Sequence, residues 1–199
     1  TFKQGSNTFG AKTDFDFYCI RNTPKADINT KVVDVDNEVE YIKLRGKEFI
    51  PNCKLNEVYN LVAKDNEERV NILHSYSYYE TRKPHISKEK TDEFKYPCVY
   101  TVNKGGTPTF KHSSINNKGH FGISKVIWGN GATGVFIDKN GEYGLTQFAY
   151  AIVDKSENLD NIKKALQNEY FIKYIMSFRD SLGDTYKKKI ISLFRKDFW

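Results

Sequence analysis

Hydrophobic positions are densest between residues 121 and 154. Phe121, Ile123, Val126, Ile127 and Trp128 form one apolar run closed by Gly129-Asn130-Gly131, and Val135-Phe136-Ile137 form the next. Such β-branched and aromatic runs, bounded by Gly and Asn, predict strands. Asn140-Gly141 follows. A two-residue type I′ turn needs φ > 0 at both central positions, where Asn and Gly are least strained, so this pair predicts a hairpin with residues 145–153 as the returning strand. Upstream, Phe15, Phe17 and Cys19 alternate with Asp14, Asp16 and Tyr18, the period of a half-buried strand. Val32, Val33 and Val35, then Val39, Tyr41 and Leu44 before Arg45-Gly46, extend this into a small β unit over residues 15–50.

After Pro51, Leu55, Val58, Tyr59 and Val62 recur at i, i+3, i+4 and i+7, one face of a short helix. Asp65-Asn66-Glu67-Glu68 is a polar break, which divides the chain into a β-rich subdomain, 1–66, and a meander with C-terminal helices, 67–199, or leaves one domain over 1–199. Residues 70–79 are apolar and tyrosine-rich, and 81–95 are basic and exposed. Strands at 98–102 and 107–111 flank a Gly105-Gly106 turn. In the tail, Ser156 or Asn158 caps a helix that turns Leu159, Ile162, Ala165 and Leu166 inward, with Tyr170, Phe171, Tyr174, Ile175 and Phe178 continuing the stripe. Gly183 stops it, and Asp184 opens a last helix burying Tyr186, Ile190, Ile191 and Phe194, with Lys187, Lys188 and Lys189 outside. The expected fold class is therefore α+β, a twisted, β-rich meander platform closed by C-terminal helices.

Charge adds a partner class. The 199 residues carry a net charge of +6, and 15% are aromatic; the pI is 9.0 and the mean hydropathy -0.64. A basic surface with interleaved aromatics suits an anionic partner, nucleic acid first and an acidic protein second. No window reaches the ~18 apolar residues of a membrane helix, so the expectation is a soluble, cytoplasmic protein with no membrane partner. Cys19, Cys53 and Cys98 are odd in number and far apart, which reads as buried thiols in a reducing compartment. The opening at Thr1 without methionine reads as a fragment or trimmed chain.

Catalytic motifs are sparse. His74, His85, His112 and His120 have no metal-ligand spacing, and neither a Gly-x-Ser-x-Gly elbow nor a phosphate-cradling loop occurs. Asp34, Asp36, Glu40 and Lys43 come nearest to a magnesium nuclease array, with Lys43 on the opposite side of an extended strand from Glu40. What remains is a binding constellation over residues 104–130. Lys104, Lys111, Lys118 and Lys125 are candidates for phosphate contact, and His112, Asn116, Asn117 and His120 offer polar groups of the kind that read base edges. Lys12, Arg82 and Lys83 are secondary phosphate candidates. Tyr76, Tyr78 and Tyr79 are candidates either for the core or for stacking on an extruded base.

Four stretches, in order, resemble the C-terminal target-recognition region of bacterial adenine-N6 DNA methyltransferases of restriction-modification systems, type IIG enzymes included. Phe9-Gly10-Ala11-Lys12-Thr13-Asp14-Phe15-Asp16-Phe17-Tyr18 is similar to that region's opening, and Ser124-Lys125-Val126-Ile127-Trp128 to its lysine-led strand. Gly141-Glu142-Tyr143-Gly144-Leu145-Thr146-Gln147 with Ala149-Tyr150-Ala151-Ile152 resembles the hairpin that follows, and Leu166-Gln167-Asn168-Glu169-Tyr170-Phe171 the packing helix. The family's Asn/Asp-Pro-Pro-Tyr/Phe motif and glycine-rich cofactor loop are absent from this chain. The resemblance thus implies a reader of double-stranded DNA that is not catalytic alone and holds no cofactor. S-adenosylmethionine is expected only in an attached methyltransferase domain or subunit.

Overall fold

The computed structural model describes residues 29–34, 37–43, 45–51, 54–129, 134–172 and 185–199. It is an α+β fold built on two four-stranded sheets and a separate two-stranded hairpin. The hairpin pairs β1 (Thr30–Val33) with β2 (Val39–Ile42). A short helix follows, α1 (Leu55–Tyr59). The first large sheet joins β3 (Ile72–Leu73), β7 (Lys125–Gly129), β8 (Val135–Asp138) and β10 (Ala149–Val153), in the order β3-β10-β7-β8. The second joins β4 (Ile86–Ser87), β5 (Tyr96–Val102), β6 (Pro108–Ser113) and β9 (Gly144–Leu145), in the order β4-β6-β5-β9. After β10 come a 3-10 turn (Ser156–Asn158) and the helices α2 (Leu159–Gln167), α3 (Glu169–Phe171) and α4 (Thr185–Ile191).

The sheet containing β7 is covered on both faces, which explains its nearly continuous apolar sequence. Val126, Trp128, Tyr150 and Ile152 point to the helices, where they meet Leu159, Ile162, Leu166, Ile190 and Phe194. Ile127, Ala149 and Ala151 point the other way, onto Val99, Val102 and Leu145. The alanines matter, because their small side chains let the second sheet approach. Gly129 makes the same allowance at the strand end: a Cβ there would lie 2.5 Å from Thr101 Oγ1 and 2.7 Å from the Val102 nitrogen. Each fully buried leucine or isoleucine of this core contributes about 1.5–3 kcal/mol of transfer free energy. Residues of the expected N-terminal subdomain share it, since Phe49 and Val58 pack with Ile190 and Phe194, and Ala63 donates its N–H to the Leu193 carbonyl.

The Asn140-Gly141 hairpin does not form. Strand β8 pairs only with β7 in its sheet, while β10 pairs with the opposite edge of β7. Between them the chain crosses to the second sheet, where β9 pairs in parallel with β5. The expected returning strand is therefore split, Gly144–Leu145 in one sheet and Ala149–Val153 in the other. Gly141 keeps a positive φ of 72°, and a Cβ there would strike the main chain of Gly122 and Ile123, so the position requires glycine on both counts. The tail also departs from expectation: at Asn168 the backbone turns extended, ψ 135°, and its side chain caps the next turn through the Tyr170 N–H. Tyr170 consequently lies 61% exposed rather than in the apolar stripe. The expected strand at Phe15–Cys19 and the Gly183 and Asp184 signals fall outside the described residues. No helix among the described residues is long and apolar enough to cross a membrane.

Candidate nucleic-acid interface

Residues 114–124 connect β6 to β7 without regular structure, yet buried polar contacts clamp them at both ends. Lys125, fully buried, sends its Nζ to Asp138 Oδ2 at 2.6 Å, the His120 carbonyl at 2.9 Å and the Ile123 carbonyl at 3.0 Å. All three ammonium protons are thereby used. Asp138 sits directly across the β7–β8 ladder from Lys125 and also accepts the N–H groups of Glu142 and Tyr143, at 2.8 and 3.1 Å. One ion pair thus ties the loop to the turn after β8. Burial pulls the Lys125 ammonium below its usual range, against the hydrogen bond and charge of Asp138, which favour the charged form. His120 closes the other side, accepting the Leu145 N–H on Nδ1 at 3.1 Å. Burial, and then the Lys125 charge, push its imidazole down to about 4, so it is neutral at pH 7.

A strap of residues 74–85 runs from β3, on the edge of the first sheet, to β4, on the edge of the second. It flanks the loop. The Tyr79 hydroxyl accepts the Lys118 N–H at 3.1 Å, the His85 carbonyl accepts the Ser114 N–H at 3.0 Å, and the Tyr79 and His120 rings lie 4.9 Å apart. The strap is also strained. Tyr76 and Ser77 both have positive φ, 44° and 65°, a conformation costing non-glycine residues ~1–3 kcal/mol each. Bonds on either side hold it: Tyr78 N–H to the Ser75 carbonyl at 2.8 Å, Ser77 N–H to Ser75 Oγ at 3.2 Å and Tyr76 N–H to His74 Nδ1 at 3.3 Å. The result is one tyrosine inside and two outside. Tyr79 is fully buried, whereas Tyr76 and Tyr78 are exposed.

The structure sorts the sequence candidates. Asn116, Asn117 and Lys118 stand exposed together at the loop tip. Lys111 and His112 are half-buried on β6 just before it, with Lys111 Nζ 5.0 Å from the Tyr100 ring centroid. Arg82 is exposed on the strap, paired with Glu80 at 2.6 Å, and Lys83 is half-buried beside it. Lys125 and His120 are corrections. Both are completely buried and so cannot reach a phosphate or a base; the Lys125 ammonium and His120 Nδ1 serve contacts within the fold instead. The β7–β8 pairing is what sets Lys125 across from Asp138. Lys104 is also displaced, lying in the β5–β6 turn at the far end of β6 from the loop, about 17–20 Å away at the usual strand rise. Lys12 lies outside the described residues.

The nuclease carboxylates have structural partners. Glu40 accepts the Leu55 N–H at 3.1 Å and the Asn56 amide at the start of α1, and Asp34 Oδ1 accepts the Glu38 N–H at 2.9 Å within the hairpin turn. Asp36 lies outside the described residues. No group of three His, Cys, Asp or Glu side chains converges among the described residues. Cys98 is buried, and burial pushes its thiol up to about 12, which closes off thiolate chemistry at neutral pH. Cys19 and Cys53 fall outside the described residues. Compared with known proteins, the chain matches no family model, no curated protein and no solved structure.

Proposed function

We propose that this chain is a sequence-specific double-stranded DNA recognition domain of a cytoplasmic restriction-modification system, serving an adenine-N6 methyltransferase domain or subunit that supplies the S-adenosylmethionine chemistry. The observation that carries the reading is the clamped loop 114–124. It exposes Asn116, Asn117 and Lys118 on a backbone held by the buried Lys125–Asp138 pair. Preorganised backbone is what base reading requires, since a carboxamide must meet both N6 and N7 of adenine in one geometry. Lys118 and Lys111 then supply phosphate contacts that set register, with Arg82 and Lys83 on the neighbouring strap as outer contacts.

Selection of bound duplexes from a randomised pool, followed by titration of the winner at two salt concentrations, tests this. An enriched motif bound well above random duplex is the expected result. Binding without enrichment, with log K falling by ~0.9 per contacted phosphate against log salt, reduces the interface to a basic surface. The double variant Asn116→Ala/Asn117→Ala should relax base choice by about 1–3 kcal/mol per lost contact. Unchanged specificity in that variant removes these residues from the reading set.

A further inference from the structure

The strap holds two tyrosine rings in solvent beside a cationic loop, against its own backbone preference. A bulky side chain at positive φ is an outlier, and strain of this kind collects at ligand-binding positions. The His74 ring lies 3.6 Å from that of Tyr76, centroid to centroid, at 33°, so it backs the Tyr76 ring and fixes its plane. Tyr78 follows at 6.4 Å and 45°, a second ring face rather than the far wall of a closed slot. Tyr76 is 52% and Tyr78 46% exposed. Two lysines lie near the strap, one beside Tyr79 through its N–H and one near His74. Lys118 is exposed on the adjoining loop, and Lys188 of α4 is near enough for its charge to act on His74. Glu80, the one carboxylate in residues 74–85, is engaged by Ser77 and Arg82.

Resting on the DNA reading above, the geometry points to a stacking site for an unpaired nucleobase on this strap, with Tyr76 and Tyr78 as its ring faces and Lys118 and Lys188 beside the flanking phosphates. The base must be unpaired because in a continuous duplex each base face is covered by its neighbour. A fixed ring then meets only base edges. A base outside the stack has a free face, whether it belongs to a single strand or is extruded from a duplex, and both sources present the same chemistry to the rings.

Fluorescence anisotropy on the full chain tests this with three labelled probes: a fully paired duplex, the same duplex with one unpaired adenine, and the single strand. The unpaired-base duplex should bind roughly 5- to 150-fold tighter than the paired one, the fold-change expected for one base–aromatic stack. Equal tightening by the single strand identifies an open strand as the source, and tightening by the bulged duplex alone identifies an extruded base. Tyr78→Ala should abolish the preference while leaving paired-duplex affinity unchanged, and Tyr78→Phe should retain it. Tyr76→Gly removes a ring and relieves the positive φ, so it should lose the preference and melt no lower than the parent. No preference among the probes, or a preference that survives loss of both rings, overturns the stacking site while leaving duplex reading intact. Absence of binding to all three probes removes the DNA reading together with it.

Discussion

Replacing Lys125 with methionine keeps an unbranched apolar stem of nearly the same reach, with sulfur for one methylene, and removes the ammonium. Three acceptors then lose their donor: the Asp138 carboxylate and the carbonyls of His120 and Ile123. Asp138 keeps the N–H groups of Glu142 and Tyr143, so its charge is only partly uncompensated. Removing one partner of a buried pair typically costs ~3–5 kcal/mol. An exposed pair would cost about 0–1 kcal/mol, so the two descriptions of Lys125 are separable by measurement. For a chain of this size each kcal/mol moves the melting temperature by about 2–4 °C, giving a fall of roughly 6–20 °C. Thermal unfolding followed by circular dichroism reads the loss, and amide exchange should report opening of residues 114–124 before the β7 core. The double variant Lys125→Met/Asp138→Asn should be more stable than the sum of the two single losses by about 0.5–3 kcal/mol, because the stranded charge is gone. A loss below ~1 kcal/mol in Lys125→Met, with the loop no faster in exchange, would refute the clamp.

Three further outcomes follow from the same geometry. His120 is held down to about 4 in the fold and titrates near 6.5 when unfolded; below pH 6.5 the unfolded chain therefore binds the proton first. The stability present above pH 6.5 is lost as pH falls towards 4, by about 3 kcal/mol, and the difference between the parent and His120→Asn should carry that slope in urea titrations across the window; parallel curves would dismiss it. Tyr79→Phe removes the acceptor of the Lys118 N–H and should cost about 1 kcal/mol, with faster exchange at Lys118 as the local reading. Gly129→Ala sets a Cβ 2.5 Å from Thr101 Oγ1, an overpacking cost of ~1–3 kcal/mol that thermal melts will register; a neutral result would mean that the sheets separate easily there.

Several features were legible in the sequence because they depend on neighbours in the chain. The alternation and turn residues around Gly105-Gly106 and Gly129 predicted the β5–β6 and β7–β8 hairpins, and the 3.6-residue spacing of Leu159, Ile162 and Leu166 predicted the buried face of α2. The exposed loop carrying Asn116, Asn117 and Lys118 was legible as a polar gap between two apolar runs. Only tertiary structure decided the rest. Asn140-Gly141 satisfies the local chemistry of a hairpin, but β10 gains a fuller place on the other edge of β7, and local turn preference is too small to oppose the pairing of a whole strand. A lysine in sequence reads as surface, yet Lys125 lies inside because Asp138, brought across from β8, and the carbonyls of His120 and Ile123 in the folded loop meet it there. The division of Tyr76, Tyr78 and Tyr79 into two exposed rings and one buried ring likewise has no signature in composition. It arises from positive φ at Tyr76 and Ser77, a conformation that contacts between the strap, the loop and both sheet edges hold in place.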